Sequence, residues 1–222
     1  MKISLPHSPK LEGTPVPYKD IPALILRSLL VKKTSSKTSL SEEDLEYLRR
    51  KTKEDKSQLE AQYQVFLTKH PDGHISKSSF KLMLSEGFPG ANVKNLSKHI
   101  WRMFDIDNNG FINFKEFRMV LHVMSYGSSK DNLKQIFRVF DINRDGKIDP
   151  QELKKIVKDL IKLDQDKKDK IDKESLAKAA FSEMDENEDG KVSRREFINA
   201  CLEKKKFSTI LALKIINIFI ET

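Results

Sequence analysis

The pattern D-x-[DN]-x-[DN]-G-x5-E occurs three times, at 105–116, 141–152 and 185–196. At average residue usage a chance match is on the order of one in a million per start position. Three matches at near-regular intervals therefore mark a repeated unit. Each places oxygen-bearing side chains around a glycine turn, which suits a hard divalent cation that takes six to eight oxygens. The pattern restricts the chain to twelve-residue calcium loops, each needing a helix on either side.

The donors are assigned by position. Loop 105–116 offers Asp105, Asp107, Asn109, the Phe111 carbonyl, Asn113 (directly or through a water) and a bidentate Glu116. Loop 141–152 offers Asp141, Asn143, Asp145, the Lys147 carbonyl, Asp149 and Glu152. Loop 185–196 offers Asp185, Asn187, Asp189, the Lys191 carbonyl, Ser193 and Glu196. Ile112, Ile148 and Val192 at position 8 suit a short strand pairing neighbouring loops. Loop 141–152 carries four carboxylates and the others three, so it is expected to bind calcium tightest or to hold magnesium at rest.

A decayed copy lies upstream, with Gly73 at position 6 and Ile75 at position 8. Its ligand positions hold Thr68, His70, Asp72 and, at position 12, Ser79, while Pro71 limits the backbone at position 4. One carboxylate remains and the bidentate anchor is missing, so this loop should not bind calcium. His70, Asp72 and His74 suggest a transition-metal site, but their spacing does not match zinc ligation. A structural half that pairs with the next hand is the better reading.

Apolar residues at helical spacing flank every loop. Leu59, Tyr63, Phe66 and Leu67 precede the decayed loop, and Leu96, Ile100, Met103 and Phe104 precede the second. Leu133, Ile136, Phe137 and Phe140 precede the third, and Leu176, Ala177, Ala180, Phe181 and Met184 the fourth. Loop starts are 37, 36 and 44 residues apart, the longest interval holding the mixed-charge run 162–174, read as a solvated linker. The expected fold is all-α, with four EF-hands in two pairs and short β contacts between paired loops. Residues 1–40 form a basic tail, 41–127 the first pair and 128–222 the second pair plus an apolar C-terminal helix. Gly127, Ser128 and Ser129 are read as a hinge. Ser41 is expected to cap a helix ahead of the first hand, with Asp44 at N3 and Leu40 stapled to Leu45.

A decayed first hand with a proline in its loop, Phe88-Pro89 after it, the stretch 99–104, three intact hands and an apolar C-terminal segment resemble the neuronal calcium sensor family. The resemblance covers about residues 41–222. It implies that calcium exposes apolar surface that binds a channel, receptor, kinase or membrane. Two features depart from the family pattern. The chain begins Met1-Lys2-Ile3 rather than Met-Gly, so myristoylation is not expected. His70 stands where a cysteine usually precedes the loop proline.

The net charge is +8, and residues 1–40 carry seven Lys or Arg against two Asp or Glu. Such a tail reads first as a flexible solvated arm, with docking on acidic lipid or an acidic partner surface as the alternative, and nucleic acid is not among the expected partners. Its segment 21–31, with Leu24, Ile25, Leu26, Leu29 and Leu30, is too short to span a membrane. It reads either as a membrane-surface helix or as a segment folding onto the protein's own groove. At the other end, 207–222 reads as a permanent core helix or as a groove plug displaced by a target helix. A single cysteine, Cys201, excludes an internal disulfide and fits a reducing cytoplasmic compartment, with peripheral membrane contact through the tail.

Three functions compete. The leading one is a calcium sensor that opens an apolar groove to receive a target helix, with Met83, Met103, Met119 and Met124 read either as part of its lining or equally as ordinary core. The others are a calcium buffer that binds without opening, and a structural subunit with incidental calcium binding. Catalysis is not expected, because the aspartates are assigned to metal and no phosphate-cradling glycine loop or nucleophile motif is present.

Overall fold

The computed structural model describes residues 39–87, 93–161 and 172–203. The tail segment 21–31, most of the linker and the apolar segment 207–222 lie outside them. The described residues form nine helices: α1 (Glu42–Thr52), α2 (Lys56–Lys69), α3 (Lys77–Gly87), α4 (Val93–Phe104), α5 (Phe114–Tyr126), α6 (Ser129–Phe140), α7 (Pro150–Ile161), α8 (Lys173–Met184) and α9 (Arg194–Leu202). Four two-residue strands complete them: β1 (His74–Ile75), β2 (Ile112–Asn113), β3 (Lys147–Ile148) and β4 (Val192–Ser193). The chain is all-α with four EF-hands in two pairs.

Helix starts follow local chemistry. Ser41 caps α1 by accepting from the Asp44 N–H at 3.1 Å. Asp55 and Gln58 form a reciprocal capping box on α2, satisfying two N–H groups that a helix start leaves unpaired. Asp172 caps α8, so the helix begins within the stretch read as linker.

The loops pair antiparallel, β1 with β2 and β3 with β4. Ile75 faces Ile112, and Ile148 faces Val192, all four fully buried. The β-branched residue at position 8 thus welds each loop to its partner. The decayed loop keeps this role. Packed behind the first pair is an aromatic cluster. Phe66 lies 5.4 Å from Phe114 and 5.8 Å from Phe117, and Phe80 lies 5.3 Å from Phe104, between ring centroids. Burial of each such ring contributes about 1.5–3 kcal/mol. Phe137, Phe140 and Phe197 do the same in the second pair.

The connection between pairs is short, since α5 ends at Tyr126 and Ser128 already caps α6. Gly127 is required there sterically: a Cβ would lie 2.4 Å from the Val123 carbonyl oxygen. Helix α4 then packs against both α6 and α7. The seam is polar where it is buried. His99 Nε2 lies 2.9 Å from Asp159 Oδ2, and Asn95 Nδ2 donates to Asp159 Oδ1 at 3.0 Å. Arg102 donates to the Val139 carbonyl and to His99 Nδ1. His99 is therefore a neutral imidazole with its proton on Nε2, and burial lowers its pKa in agreement.

Of the four methionines that read either as groove lining or as ordinary core, Met103 is fully buried in the core. Met83, Met119 and Met124 remain half-buried at the edge of that core.

Candidate calcium centres

The intact loops share a backbone device at position 4. Asn108, Arg144 and Glu188 adopt φ of 61°, 62° and 57°, in the left-handed region that side chains enter at a cost. The equivalent residue of the decayed loop is Pro71, whose ring holds φ near −65°. That loop is therefore barred from the shared trace before its ligands are considered. Its side chains agree. Thr68 donates back to the Val65 carbonyl at 2.7 Å, and the His70 ring packs on Phe66 at 5.0 Å. Burial and the nearby Lys69 and His74 push His70 down to about 4. With His70 turned into the core and His74 set edge-on against Phe111, the imagined transition-metal site is not assembled.

In the intact loops, position 12 reaches back across the loop. Glu116 Oε1 accepts from the Ile106 and Asp107 N–H groups at 2.9 and 3.3 Å, and Oε2 from Asn113 at 3.0 Å. Glu152 repeats this with Ile142 and Asn143, both at 2.9 Å, and Asp149 at 3.0 Å. Glu196 accepts from Ser193 at 2.8 Å. Positions 9 and 12 also cap the exiting helix, as Asn113 with Glu116 on α5 and Ser193 with Glu196 on α9. In the decayed loop Ser76 still caps the Ser79 N–H at 3.2 Å, so the helix start survives the loss of the carboxylate.

Position 5 is set by local turns. Asn109 Oδ1 accepts from Phe111, Asp145 Oδ1 from Lys147 and Asp189 Oδ1 from Lys191, at 2.8, 2.9 and 2.9 Å. Position 3 is bonded to position 5 in each loop: Asp107 Oδ1 accepts from the Asn109 N–H, Asn143 Oδ1 from Asp145 and Asn187 Oδ1 from Asp189. These bonds fix positions 3 and 5 within each loop. Asp105, Asp107 and Glu116 bring carboxylate oxygens within 4.8 Å of one another. In the second pair, the position-5 carboxylates are instead drawn across the strands. Lys147 Nζ lies 3.3 Å from Asp189, and Lys191 Nζ lies 3.3 Å from Asp145, a reciprocal pair of contacts.

A divalent ion fits these loops by one recurrent feature. Oδ1 of Asp105, Asp141 and Asp185, the position-1 carboxylate in every intact loop, is buried without a hydrogen-bond partner. A buried carboxylate oxygen left bare costs several kcal/mol in general terms, and a cation at the loop centre removes that cost. Burial raises the pKa of both Asp141 and Glu116. For Glu196, burial pushes upward, but hydrogen bonds from Ser193 and Asn187 win and the pKa is lowered.

Two contacts at Asp105 had no signature in the sequence. Trp101 Nε1 donates to Asp105 Oδ2 at 2.7 Å. Arg144, from the third loop, donates to the Asp105 carbonyl at 2.9 Å and stands 3.8 Å from its carboxylate. Cys201 is buried, and burial with the nearby Glu183 pushes its thiol up to about 12, far from nucleophile chemistry. No helix among the described residues is long and apolar enough to cross a membrane.

Known proteins share this arrangement. An EF-hand domain pair model matches residues 130–202, and an EF hand domain model matches 98–124, ranges that contain all three intact loops. The chain is 30% identical over 179 residues to S-modulin of Aquarana catesbeiana, covering 78% of this chain and 89% of that protein. It is also 30% identical over 183 residues to human recoverin, covering 80% and 92%, respectively. Visinin of Gallus gallus is 26% identical over 175 residues, covering 76% and 91%.

Proposed function

The chain belongs to the neuronal calcium sensor family, and on that premise we propose that it is a calcium sensor that opens an apolar groove for a helix of a target protein. It is a non-enzymatic EF-hand protein. The observation that carries the reading is the bare, buried Oδ1 at position 1 of all three intact loops.

The ligand set proposed is Asp105, Asp107, Asn109, Phe111, Asn113 and Glu116; Asp141, Asn143, Asp145, Lys147, Asp149 and Glu152; and Asp185, Asn187, Asp189, Lys191, Ser193 and Glu196. Bound calcium supplies a doubly charged centre that takes six to eight oxygens. The chain's part is mechanical. Position 1 ends the entering helix, while position 12 sits in the first turn of the exiting helix. Drawing Glu116 toward Asp105 therefore moves α5 against α4, and Glu152 and Glu196 act likewise on α7 and α9. The half-buried Met83, Leu84, Met119, Leu121 and Met124 at the edge of the core, with the 60% exposed Leu82, are the apolar side chains such motion uncovers. Soft methionine suits a surface that must repack around a target.

Binding of an apolar fluorescent dye to the purified chain, with calcium and with chelator, tests the reading. A calcium-dependent rise supports a sensor. Calcium binding without a change in dye fluorescence would identify a buffer instead. We place the protein in the cytoplasm, with the basic tail available to acidic membrane surface.

A further inference from the structure

A cavity of about 610 Å³ opens beside the second loop, and its lining carries six cations: Lys77, Lys81, Lys94, Lys98, Arg102 and Arg144. The only carboxylate among the described lining residues is Asp105. One wall is a continuous face of α4, since positions 94, 97, 98, 101, 102 and 105 follow the i, i+3, i+4 repeat of a helix. The opposite wall is α3, and the third loop contributes Arg144 from below. Trp101 forms an apolar floor with Lys77 Nζ 5.7 Å from its ring centre.

So many like charges around one hollow repel each other. Burial and the neighbouring Arg144 push the Arg102 guanidinium down to about 10. Arg102 spends its donors on the Lys98, Arg138 and Val139 carbonyls, so it contributes field rather than contact. Lys77, Lys81 and Lys98 stand exposed on the walls, while Arg144 is held on Asp105.

We propose that this cavity binds a compact anion carrying two or more phosphate groups, the chemistry of an inositol phosphate, whether free or as a lipid headgroup. Each phosphate monoester brings about −1.5 to −2 charges and several strong acceptors, so two or three offset the lining cations. An acidic peptide with as many carboxylates is about 20 Å long when extended, whereas a cavity of about 610 Å³ is of small-molecule size. An inositol phosphate would sit between the two helical walls while ammonium groups close over its edge. The site is independent of the target groove and stands without it.

Calorimetry of the full chain with inositol hexakisphosphate in calcium-free buffer tests this, with Trp101 fluorescence as a second signal. Lys81→Glu with Lys98→Glu removes two exposed wall cations. Lys51→Glu with Lys178→Glu makes the same charge change on exposed positions that do not line the cavity. The wall pair should lose at least about tenfold in affinity, as expected for lost charge-assisted contacts, and the control pair much less. Vesicles separate the two sources: recruitment by phosphatidylinositol bisphosphate beyond charge-matched phosphatidylserine assigns a lipid headgroup, and its absence assigns the free anion. The proposal is overturned if inositol hexakisphosphate does not bind or if both variant pairs lose affinity equally. It also fails if oligoglutamate binds as tightly and with the same dependence on the wall lysines.

Discussion

Glu116 does two things with one carboxylate, and substitution separates them. It accepts the Asn113 N–H as the third residue of a capping box, a role glutamine fills equally well. It also stands as the proposed bidentate anchor, a role that needs the charge. Glu116→Gln should therefore leave thermal stability nearly unchanged and weaken calcium at the second loop by at least about tenfold, read by calorimetry beside a melting curve. His70 makes a second prediction. Its folded pKa near 4 lies below the ordinary value of 6.5, so folding favours the neutral ring. The stability it contributes is complete above about pH 6.5 and is lost as pH falls toward 4. Denaturant titrations from pH 7 to 4 should show a steeper decline in the parent than in His70→Gln; parallel curves would contradict it.

At the scale of the element, a hand is a loop that sets the angle between two helices, and its partner loop sets the hand's electrostatics. The reciprocal Lys147–Asp189 and Lys191–Asp145 contacts hold ammonium groups against carboxylates proposed to ligate metal. Both are largely exposed, so each contributes only weakly. Replacing both lysines by glutamine should tighten calcium in the second pair by about twofold to fivefold, most clearly at low salt, where the contacts are least screened. Competition with a chelator of known affinity measures it; unchanged binding would show that the lysines swing clear.

Much of this level was legible in advance. Position 8 announced the Ile75–Ile112 and Ile148–Val192 pairs, because a twelve-residue loop repeats its geometry wherever it occurs. Helix faces were legible from the 3.6-residue period, and Ser41 from its place before an acidic turn. Contacts between units were not. Arg144 on Asp105 and His99 on Asp159 join residues 39 and 60 apart in sequence, and no local spacing encodes such a pair. Met103 stood open between groove and core for a related reason: a residue on an apolar helix face looks the same whichever surface that face meets. Pro71 was read as a limitation, but its force became plain only when position 4 proved left-handed in every intact loop.

At the scale of the molecule, α4 is shared property. It enters the second hand, walls the basic cavity and carries the His99–Asp159 tie to α7. Arg144 adds a direct link from the third loop to position 1 of the second. The two pairs of hands are thus packed together rather than strung on a tether. The central claim is that three loops are built for calcium and the first is not. Isothermal titration of the purified chain with calcium, in the presence of magnesium at cellular concentration, tests it directly. The account predicts three sites, each removed in turn by Glu116→Gln, Glu152→Gln or Glu196→Gln. A fourth site surviving all three substitutions, or no heat in the micromolar range, would contradict it.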